Sequence, residues 1–488
     1  MTLFSLRIPP AINRGETEAK SAGSYYSWTL CRGTPGGDIV PERGWIQRAN
    51  DAVAGMARAM LVWKDNVDTT RIGVGTHLGL FTYDLPGALT DITPVGFAPG
   101  SADTEVNTGY GGGDYGANDY GTPRPLTDVP VDAAVWTLAV WDEYLVGCCA
   151  SDGSIYQYYN DGAPAVIVAN APTLNRGCFV AEVILLALGA DGNPRKIAWS
   201  DKGFNAIWTP DATNQAGDFI FPTAGRLMCG TAVASFALVL TDIDAWVGVY
   251  GLPAVWSFTK LGDGMGAISQ GALVSASTQA FWWSLGGFKK FNGGYVEDLP
   301  CTVWGAIQED MNAGQKAKIV GWMNSVANEV IWVYPSENSN ECDRKVVFNY
   351  QTGRWGFSDY DRTCGCDRIE NGNPLAIDTA GLLYDHEVGT YHGAYTAKAR
   401  TGPIRIGEGD QIMQIKAYIP DQRTLGDAMV TFYGKDRQGA AYAAYGPYAA
   451  AERLDLRISA RIIEVEYTFT GDGAVGEPQL DVQPGGRR

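Results

Sequence analysis

The chain has 488 residues, of which 45% are hydrophobic, 11% aromatic and 19% charged, a composition typical of a globular protein with a deep core. Its 37 basic and 54 acidic side chains give a formal net charge of −17, which argues against a sequence-reading nucleic-acid binder and against an acidic membrane surface as partner. The 61 glycines and 24 prolines disfavour long helices and favour many short strands joined by turns.

No targeting or membrane segment is predicted. Residues 1–14 lack the apolar core of a signal peptide. The longest apolar run, residues 227–241, contains Gly and Ser and is too short to span a bilayer. We therefore expect a soluble protein made in the cytoplasm.

Residues from about 55 to 389 carry a loosely repeated pattern. A short apolar run is followed by a Gly-containing turn and an alternating segment that ends in aromatic residues. The dipeptides at 152–153, 191–192, 292–293 and 371–372 are Asp-Gly or Asn-Gly, which favours tight hairpin turns. The units recur roughly every 40–60 residues, which predicts an all-β fold with a β-propeller of about five to seven irregular blades. A β-sandwich or a jelly roll also contains many short strands and is the alternative fold.

The segment of about residues 101–130 differs from this pattern. It is rich in Gly, Tyr and Asp and has no apolar period, so it predicts a long surface loop or arm. A flexible insertion is one interpretation. The other is a loop that packs on a neighbouring subunit, because Tyr110, Tyr115 and Tyr120 are of a residue type enriched at interfaces.

The last part of the chain predicts a second domain. One short helix is predicted over 302–318, the polar stretch with the fewest glycines. Beyond about residue 401, alternating strands are predicted at 404–406, 412–419, 429–433, 454–458 and 462–469. We divide the chain into an N-terminal extended segment with first strands (1–54), a propeller (55–399) and a C-terminal β-sandwich-like domain (400–488).

The sequence offers little for catalysis or for a cofactor. Only three histidines are present, with no Gly-x-Ser-x-Gly and no phosphate-binding loop. A pair of glycosidase carboxylates cannot be selected among 54 acidic residues. The nine cysteines are scattered, and the one close pair, Cys364 and Cys366, lacks the usual zinc spacing. Reduced, buried thiols are the expectation, with no metal and no cofactor.

Residues 199–208, WSDKGFNAIW, resemble the Asp-box turn of sialidase-type propellers. Ser200 and Asp201 are adjacent rather than one residue apart, and the Trp is displaced. The Asp of such a turn binds backbone N–H groups. The motif therefore supports a propeller without indicating catalysis.

The beginning of the chain resembles a known family. Residues 6–14 (LRIPPAINR), 21–26 (SAGSYY) and 41–45 (PERGW) are similar to the start of tail hub or nozzle proteins of tailed bacteriophages. In that family an apolar-Pro-Pro-Gly segment leads to a Pro-x-Gly-Gly-Trp. Ala11 and Arg43 replace two of those glycines.

The resemblance continues through the middle of the chain to its final Gly-Gly-Arg-Arg. The segments that carry it are 188–195, 198–201, 208–210, 212–217, 299–301, 329–335 and 344–355. Each is weakly specific alone, and their order along the chain makes the set more specific.

This resemblance implies a structural virion protein with a β-propeller. Six copies would form the tail tube below the portal and adaptor, let the genome leave, help retain packaged DNA and anchor fibres or tip proteins. The acidic charge would let DNA slide without being held, although solubility of a large assembly is an equal explanation. We expect no enzyme. Candidate interface residues are Arg7, Pro9, Pro10, Tyr25, Tyr26, Trp45, Tyr110, Tyr115, Tyr120, Arg487 and Arg488.

Two other functions stay open. One is a propeller-type glycan depolymerase or sialidase-like tail enzyme, which would need carboxylates and an arginine cluster at the mouth of the blades. The other is a propeller module that docks a receptor or fibre without forming a closed ring around DNA.

Overall fold

A computed structural model describes residues 2–14, 18–85, 88–105, 131–370, 372–406 and 411–487. The N-terminal part of the chain forms short strands and one 3-10 turn (Glu18–Ser21). The strands are β1 (Thr2–Ser5), β2 (Tyr25–Thr29), β3 (Cys31–Gly33), β4 (Ile39–Pro41) and β5 (Trp45–Gln47). Only β3 and β4 pair with each other, and the other three join sheets formed by distant parts of the chain.

Six four-stranded antiparallel sheets follow in chain order, and we number them blades 1 to 6. Blade 1 consists of β6 (Ala57–Lys64), β7 (Thr70–Thr76), β8 (Leu80–Asp84) and β9 (Leu89–Asp91). Blade 2 consists of β10 (Trp136–Trp141), β11 (Tyr144–Cys149), β12 (Ile155–Tyr158) and β13 (Val166–Ile167). Blade 3 consists of β14 (Gly177–Ala181), β15 (Ile184–Leu188), β16 (Lys196–Trp199) and β17 (Gly217–Ile220).

Blades 4 to 6 have the same order of neighbouring strands. Blade 4 consists of β18 (Leu227–Val233), β19 (Phe236–Thr241), β20 (Asp244–Gly251) and β21 (Val255–Asp263). Blade 5 consists of β22 (Leu273–Ala276), β23 (Gln279–Ser284), β24 (Gly287–Phe291) and β25 (Val296–Leu299). Blade 6 consists of β26 (Val320–Asn324), β27 (Glu329–Pro335), β28 (Cys342–Asn349) and β29 (Arg354–Asp359).

Blade 7 joins the two ends of the circle. It contains β30 (Cys364–Cys366), β31 (Leu375–Ile377) and β32 (Leu383–His386), and the N-terminal β5 is its fourth, outermost strand. The first strand of each blade contacts the first strand of the next, and β30 contacts β6. The chain therefore contains a closed seven-bladed β-propeller, which confirms the predicted fold at the upper end of the predicted blade count.

Tryptophans packed on glycines hold neighbouring blades together. A Cβ atom on Gly75 of blade 1 would lie 2.5 Å from Cγ of Trp136 in blade 2. One on Gly365 of blade 7 would lie 2.5 Å from Cε2 of Trp322 in blade 6. Both tryptophans are buried. Because a side chain at either glycine would overlap an indole, these positions set how closely the blades approach.

The predicted hairpin turns and the predicted helix are largely confirmed. Gly153, Gly192 and Gly293 have positive φ between the strands that they join, and Asn371 of the fourth turn lies outside the described residues. The helix predicted over 302–318 is an α-helix, α1 (Trp304–Asp310), followed by a 3-10 turn (Ala313–Lys318). Further 3-10 turns are Ala190–Gly192 and Gln422–Thr424. Within the described ranges, no helix is long and apolar enough to cross a membrane.

The end of the chain forms two further sheets. Their strands are β33 (Lys398–Thr401), β34 (Ile404–Arg405), β35 (Gln411–Ile419), β36 (Ala428–Lys435), β37 (Ala443–Ala449), β38 (Leu454–Ala460), β39 (Ile462–Phe469) and β40 (Gln479–Arg487). One sheet has the order β1-β40-β35-β38, and the other β2-β33-β39-β36-β37 with β34 beside β39. Alternate side chains such as Ile415, Phe432 and Ile458 are buried, as expected where two sheets share a core.

The N-terminal segment 1–54 forms no unit of its own. Its strands β1 and β2 complete the two C-terminal sheets, whereas β5 completes blade 7 of the propeller. The hairpin of β3 and β4 lies between them, and Ile39 pairs with Val475 of the C-terminal domain. The first 50 residues therefore tie the propeller to the β-sandwich.

Candidate functional site at the propeller mouth

A cavity lies at one end of the propeller axis, and we call it the mouth cavity. Its volume is about 390 Å³, within the usual range for small-molecule sites. Most of its wall comes from the segments that lead into the first strands of blades 2 to 6, with the turn between β11 and β12 beside them. The closed circle of blades therefore brings together residues that are far apart in sequence.

Three cations and one acid line the mouth cavity: Arg176, Arg226, Lys316 and Asp132. Asp132 accepts a hydrogen bond of 3.0 Å from Nη2 of Arg226 and lies 3.6 Å from Nη2 of Arg176. Burial, and then the charge of Arg226, lower the pKa of Arg176. One carboxylate thus lies between two guanidinium groups, and the positive charge at the mouth exceeds the negative.

A second group of charges joins blades 1 and 6 beside the mouth. The Arg58 side chain is fully buried and donates to both oxygens of Glu341, at 2.5 and 2.8 Å, and to the carbonyl of Ala102 at 3.0 Å. The buried Lys318 amine pairs with Asp103 and lies 3.7 Å from Glu341. Because each buried charge has a partner, this cluster is suited to holding the circle together.

A third charged cluster lies between the propeller and the N-terminal hairpin. Arg32 of β3 binds Glu387 at 2.7 Å and Glu329 at 3.1 Å. Burial, together with the nearby carboxylates of Glu42 and Glu387, raises the pKa of Glu329 to about 7. Burial also acts on Glu387, but Arg32 and Asn324 hold its pKa below the usual value. Glu329 is therefore the acid in this cluster that titrates near neutral pH.

The Glu329→Gln substitution is expected to change how stability depends on pH. The folded chain keeps a proton on Glu329 up to about pH 7, whereas the unfolded chain loses it near pH 4.5. Because the folded state binds more protons in this window, the contribution of Glu329 to the free energy of unfolding falls as pH rises through it. The wild type should lose on the order of 2 kcal/mol relative to Glu329→Gln between about pH 5 and about pH 8.

Urea unfolding of both proteins at the two pH values measures this difference. Glu477→Gln is the matched control, because that side chain is 57% exposed and pairs only with exposed Arg7. Parallel pH curves for the wild type and Glu329→Gln would contradict the assignment of the titration to Glu329.

All three histidines have structural partners. Nδ1 of His77 accepts a hydrogen bond from the Met56 backbone N–H at 2.9 Å. His386 is buried between Tyr360 and Arg362, and Nε2 of His392 lies 2.9 Å from the Glu42 carbonyl. Burial, together with Arg362 and Lys345, keeps the pKa of His386 well below its usual value. These contacts leave each ring fixed in the fold.

The Asp-box-like turn is structural, as its chemistry predicts. Oδ1 of Asp201 accepts hydrogen bonds from the backbone N–H groups of Lys202 and Gln215, at 2.9 and 2.8 Å. Ser200 Oγ accepts from the Leu185 N–H at 3.1 Å. These bonds fix the long connection between β16 and β17 in blade 3.

Among the described residues, the cysteines do not form a metal centre. Cys364 and Cys366 are buried in β30, and burial raises the pKa of both thiols. Within the described parts of the chain, no group of three or more His, Cys, Asp or Glu side chains could hold a metal ion.

The candidate interface residues lie in different environments. Arg7 and Pro9 are exposed and Tyr26 is half-buried. Pro10, Tyr25 and Trp45 are buried inside the chain, so their side chains are not on the surface that a partner would meet. The backbone of Arg487 pairs with Gln411 at the end of β40. Tyr110, Tyr115, Tyr120 and Arg488 lie outside the described residues.

The arginines of the mouth cavity were not predicted from the sequence. A positional signal was nevertheless present, because Arg176 and Arg226 each immediately precede the first strand of a blade, and Arg58 is the second residue of another. In a propeller, the beginnings of these strands surround the axis. An alignment of the blade starts would therefore have predicted a basic mouth.

Comparisons with known proteins return propellers at low similarity. No protein-family model and no curated protein sequence matches the chain. Among solved structures, Hsv2 of Kluyvelomyces marxianus is 9% identical with a TM-score of 0.33, covering 66% of this chain and 98% of that one. BamB of Moraxella catarrhalis is 11% identical with a TM-score of 0.35, covering 70% and 99%.

Two enzymes are also similar at this level. The dihydro-heme d1 dehydrogenase NirN is 14% identical with a TM-score of 0.31, covering 68% of this chain and 69% of that one. A glycoside hydrolase is 7% identical with a TM-score of 0.26, covering 89% and 100%. Likeness at this level carries no argument about function. The assignment of this chain as a β-propeller protein rests on its own closed circle of seven sheets.

Proposed function

We propose that this chain is a non-catalytic structural subunit of a bacteriophage tail, in which six copies form the hub or nozzle ring. The first support is the ordered set of motifs that resembles such proteins along nearly the whole chain. The second is the fold, because the propeller implied by that resemblance is the architecture observed. The virion is accordingly the proposed location.

One structural feature carries the assembly part of this proposal: the free edge of the C-terminal domain. Strand β37 is the outermost strand of its sheet, and its seven residues carry no charge. All are exposed except half-buried Tyr445. By contrast, the edge strand β38 of the other sheet presents Asp455 and Arg457. Uncharged edges invite contact with another chain. Pro447 within the strand has no backbone N–H to donate, so the contact that we assign to this edge between copies depends on the other residues of β37.

The genome conduit in this proposal lies between copies rather than through one propeller. The mouth cavity has a volume of about 390 Å³, which is less than that of a cube with the roughly 12 Å width of the B-DNA major groove, so a duplex does not fit into it. A ring of chains that each carry a net charge of −17 would repel phosphates and let DNA slide. The adaptor above the ring and fibres or tip proteins below it are the proposed partners.

The environment of the histidines supports a non-catalytic role. Each of the three makes a structural hydrogen bond, and His386 and His392 are buried. None is therefore free to serve as the base of a nucleophilic triad. Carboxylate-dependent cleavage of glycans needs no histidine and is tested separately by a cleavage assay.

Charges placed on β37 should prevent assembly. The double variant Ala444→Lys/Tyr448→Lys adds two like charges to an exposed edge, which disfavours strand pairing. Sedimentation of the purified wild type should give about six times 52.4 kDa, and the variant should sediment near 52.4 kDa. Val95→Lys, at a side chain that is 89% exposed, is the control and should assemble normally.

Two results would contradict the proposal. One is equal assembly of the β37 variant and the wild type, which would remove β37 from the interface. The other is cleavage of host surface polysaccharide by the purified wild type, because a non-catalytic ring subunit should release no sugar fragments.

A further inference from the structure

We propose that the mouth cavity binds a small organic anion, whose carboxylate or phosphate group is held by Arg176 and Arg226. This site goes beyond the proposed function, since it is complete within one chain. It can be tested whether or not copies assemble. The argument rests on charge balance, on unused hydrogen-bond donors and on the composition of the cavity wall.

The charges around the cavity do not balance. Arg176, Arg226 and Lys316 line it together with a single acid, Asp132. Asp242 lies behind Arg226, with 3.9 Å between its carboxylate and Nε of Arg226. Among the residues that the structure describes, one positive charge at the cavity stays uncompensated even with both acids counted, in a chain whose net charge is −17. The two guanidinium groups repel each other even with these two acids nearby, which favours an anionic ligand between them.

Arg176 and Arg226 have N–H donors that no described residue uses. Each guanidinium carries five N–H donors in a fixed plane, yet Arg176 contacts a carboxylate only at 3.6 Å. The Nε atoms of Arg176 and Arg226 are buried and lack a hydrogen-bond partner within the described residues. Arg58 also leaves its Nε without such a partner, but both of its Nη atoms donate to Glu341 or Ala102 at 2.5–3.0 Å. The contrast with Arg176 therefore lies in the Nη atoms, since the nearest described carboxylate to that side chain is 3.6 Å away.

The rest of the cavity wall suits the body of an organic ligand. Met228 and Ile268 line one part of it, and several alanines and valines line another. The side chains of Arg176, Arg226 and Asp132 are 28%, 35% and 33% exposed, so solvent reaches them. Small-molecule sites combine such apolar walls with a few polar groups that fix orientation.

The chemistry of the arginines selects the ligand class. Guanidinium groups bind planar carboxylates and the oxygens of phosphates through paired hydrogen bonds. Both oxyanions fit the pair of Arg176 and Arg226, with Lys316 as a further cation. The ligand is therefore a compact molecule with one such group and a neutral body.

Calorimetric titration of the full chain with three matched sugars tests this site. The probes are glucuronate, glucose 6-phosphate and glucose, which share a ring and differ in the anionic group. Binding of glucuronate alone assigns the carboxylate, binding of glucose 6-phosphate alone assigns the phosphate, and glucose should not bind measurably. Absence of binding by both anions, or equal binding of glucose, would overturn the proposal.

Variants locate the binding. Arg176→Gln and Arg226→Gln should each weaken the Kd of the bound anion at least tenfold, or about 1.4 kcal/mol. Arg453→Gln is the control, because Arg453 is on the surface and pairs only with the next-but-one residue, Asp455. Unchanged affinity in both cavity variants would overturn the site.

Asp132→Asn gives an independent test that does not remove an arginine. If the cavity is an anion site, neutralising the competing carboxylate should tighten anion binding severalfold. If the three residues are only a structural ion cluster, the substitution should lower thermal stability and leave anion affinity unchanged or weaker. That second result would contradict the proposal.

Discussion

Replacing Trp45 by alanine should lower the free energy of unfolding by about 3–5 kcal/mol. Trp45 is only 7% exposed, although it belongs to the short strand that closes the propeller from outside. Its ring lies 5.4 Å from that of His386 and 5.3 Å from that of His392, and the Arg362 guanidinium lies 4.8 Å from it. Removing the indole creates a cavity and loosens the contact between β5 and β32.

Ile46→Ala is the matched control for this prediction. Ile46 follows Trp45 on the same strand, but its side chain is 55% exposed, so its loss should cost less than about 0.5 kcal/mol. Urea unfolding followed by tryptophan fluorescence and circular dichroism measures both variants. Equal, small effects would show that β5 is not needed to close the circle.

Replacing Arg58 by methionine should destabilise the chain by a comparable amount, about 3–5 kcal/mol. The guanidinium is fully buried and holds Glu341 through two hydrogen bonds. Without it, Glu341 keeps a hydrogen bond of 2.9 Å from the Cys342 backbone N–H, and the nearest cation among the described residues is Lys318, at 3.7 Å. The cost arises because a carboxylate that is only 21% exposed is left with insufficient compensation, rather than from the strength of the ion pair itself.

The double variant Arg58→Met/Glu341→Leu separates these two causes. Because it removes both partners, it should be less destabilised than the sum of the single variants, while Lys318 keeps Asp103 as its partner. Arg453→Met is the surface control, with an expected loss below about 1 kcal/mol. Additive effects of the Arg58 and Glu341 substitutions would contradict the argument.

Local sequence patterns were sufficient for much of the fold. The alternation in residues 462–469 predicts β39 with the bounds that it has in the structure, because one face of that strand packs in the sandwich core. Asp152-Gly153 predicts the turn between β11 and β12, since Gly153 adopts positive φ there. These features depend on neighbouring residues, which a sequence shows directly.

Features that depend on distant partners were not predictable in the same way. Trp45 to Gln47 form a strand in blade 7 only because β32, more than 300 residues later, offers an edge. Strand β37 has an Ala, Gly and Pro content that is unfavourable for strands, and pairing with β36 overrides it. The basic mouth is likewise a product of ring closure, which brings Arg176 and Arg226 to one Asp132.

The mass and symmetry of the purified full-length chain test the central claim most directly. Light scattering gives the mass, and electron micrographs of the same sample give the symmetry. A particle of about six times 52.4 kDa with sixfold symmetry and an axial opening wide enough for a whole B-DNA duplex, which is wider than its roughly 12 Å major groove, is the predicted result. A particle of 52.4 kDa at every concentration tested, with no ring in the micrographs, would contradict it.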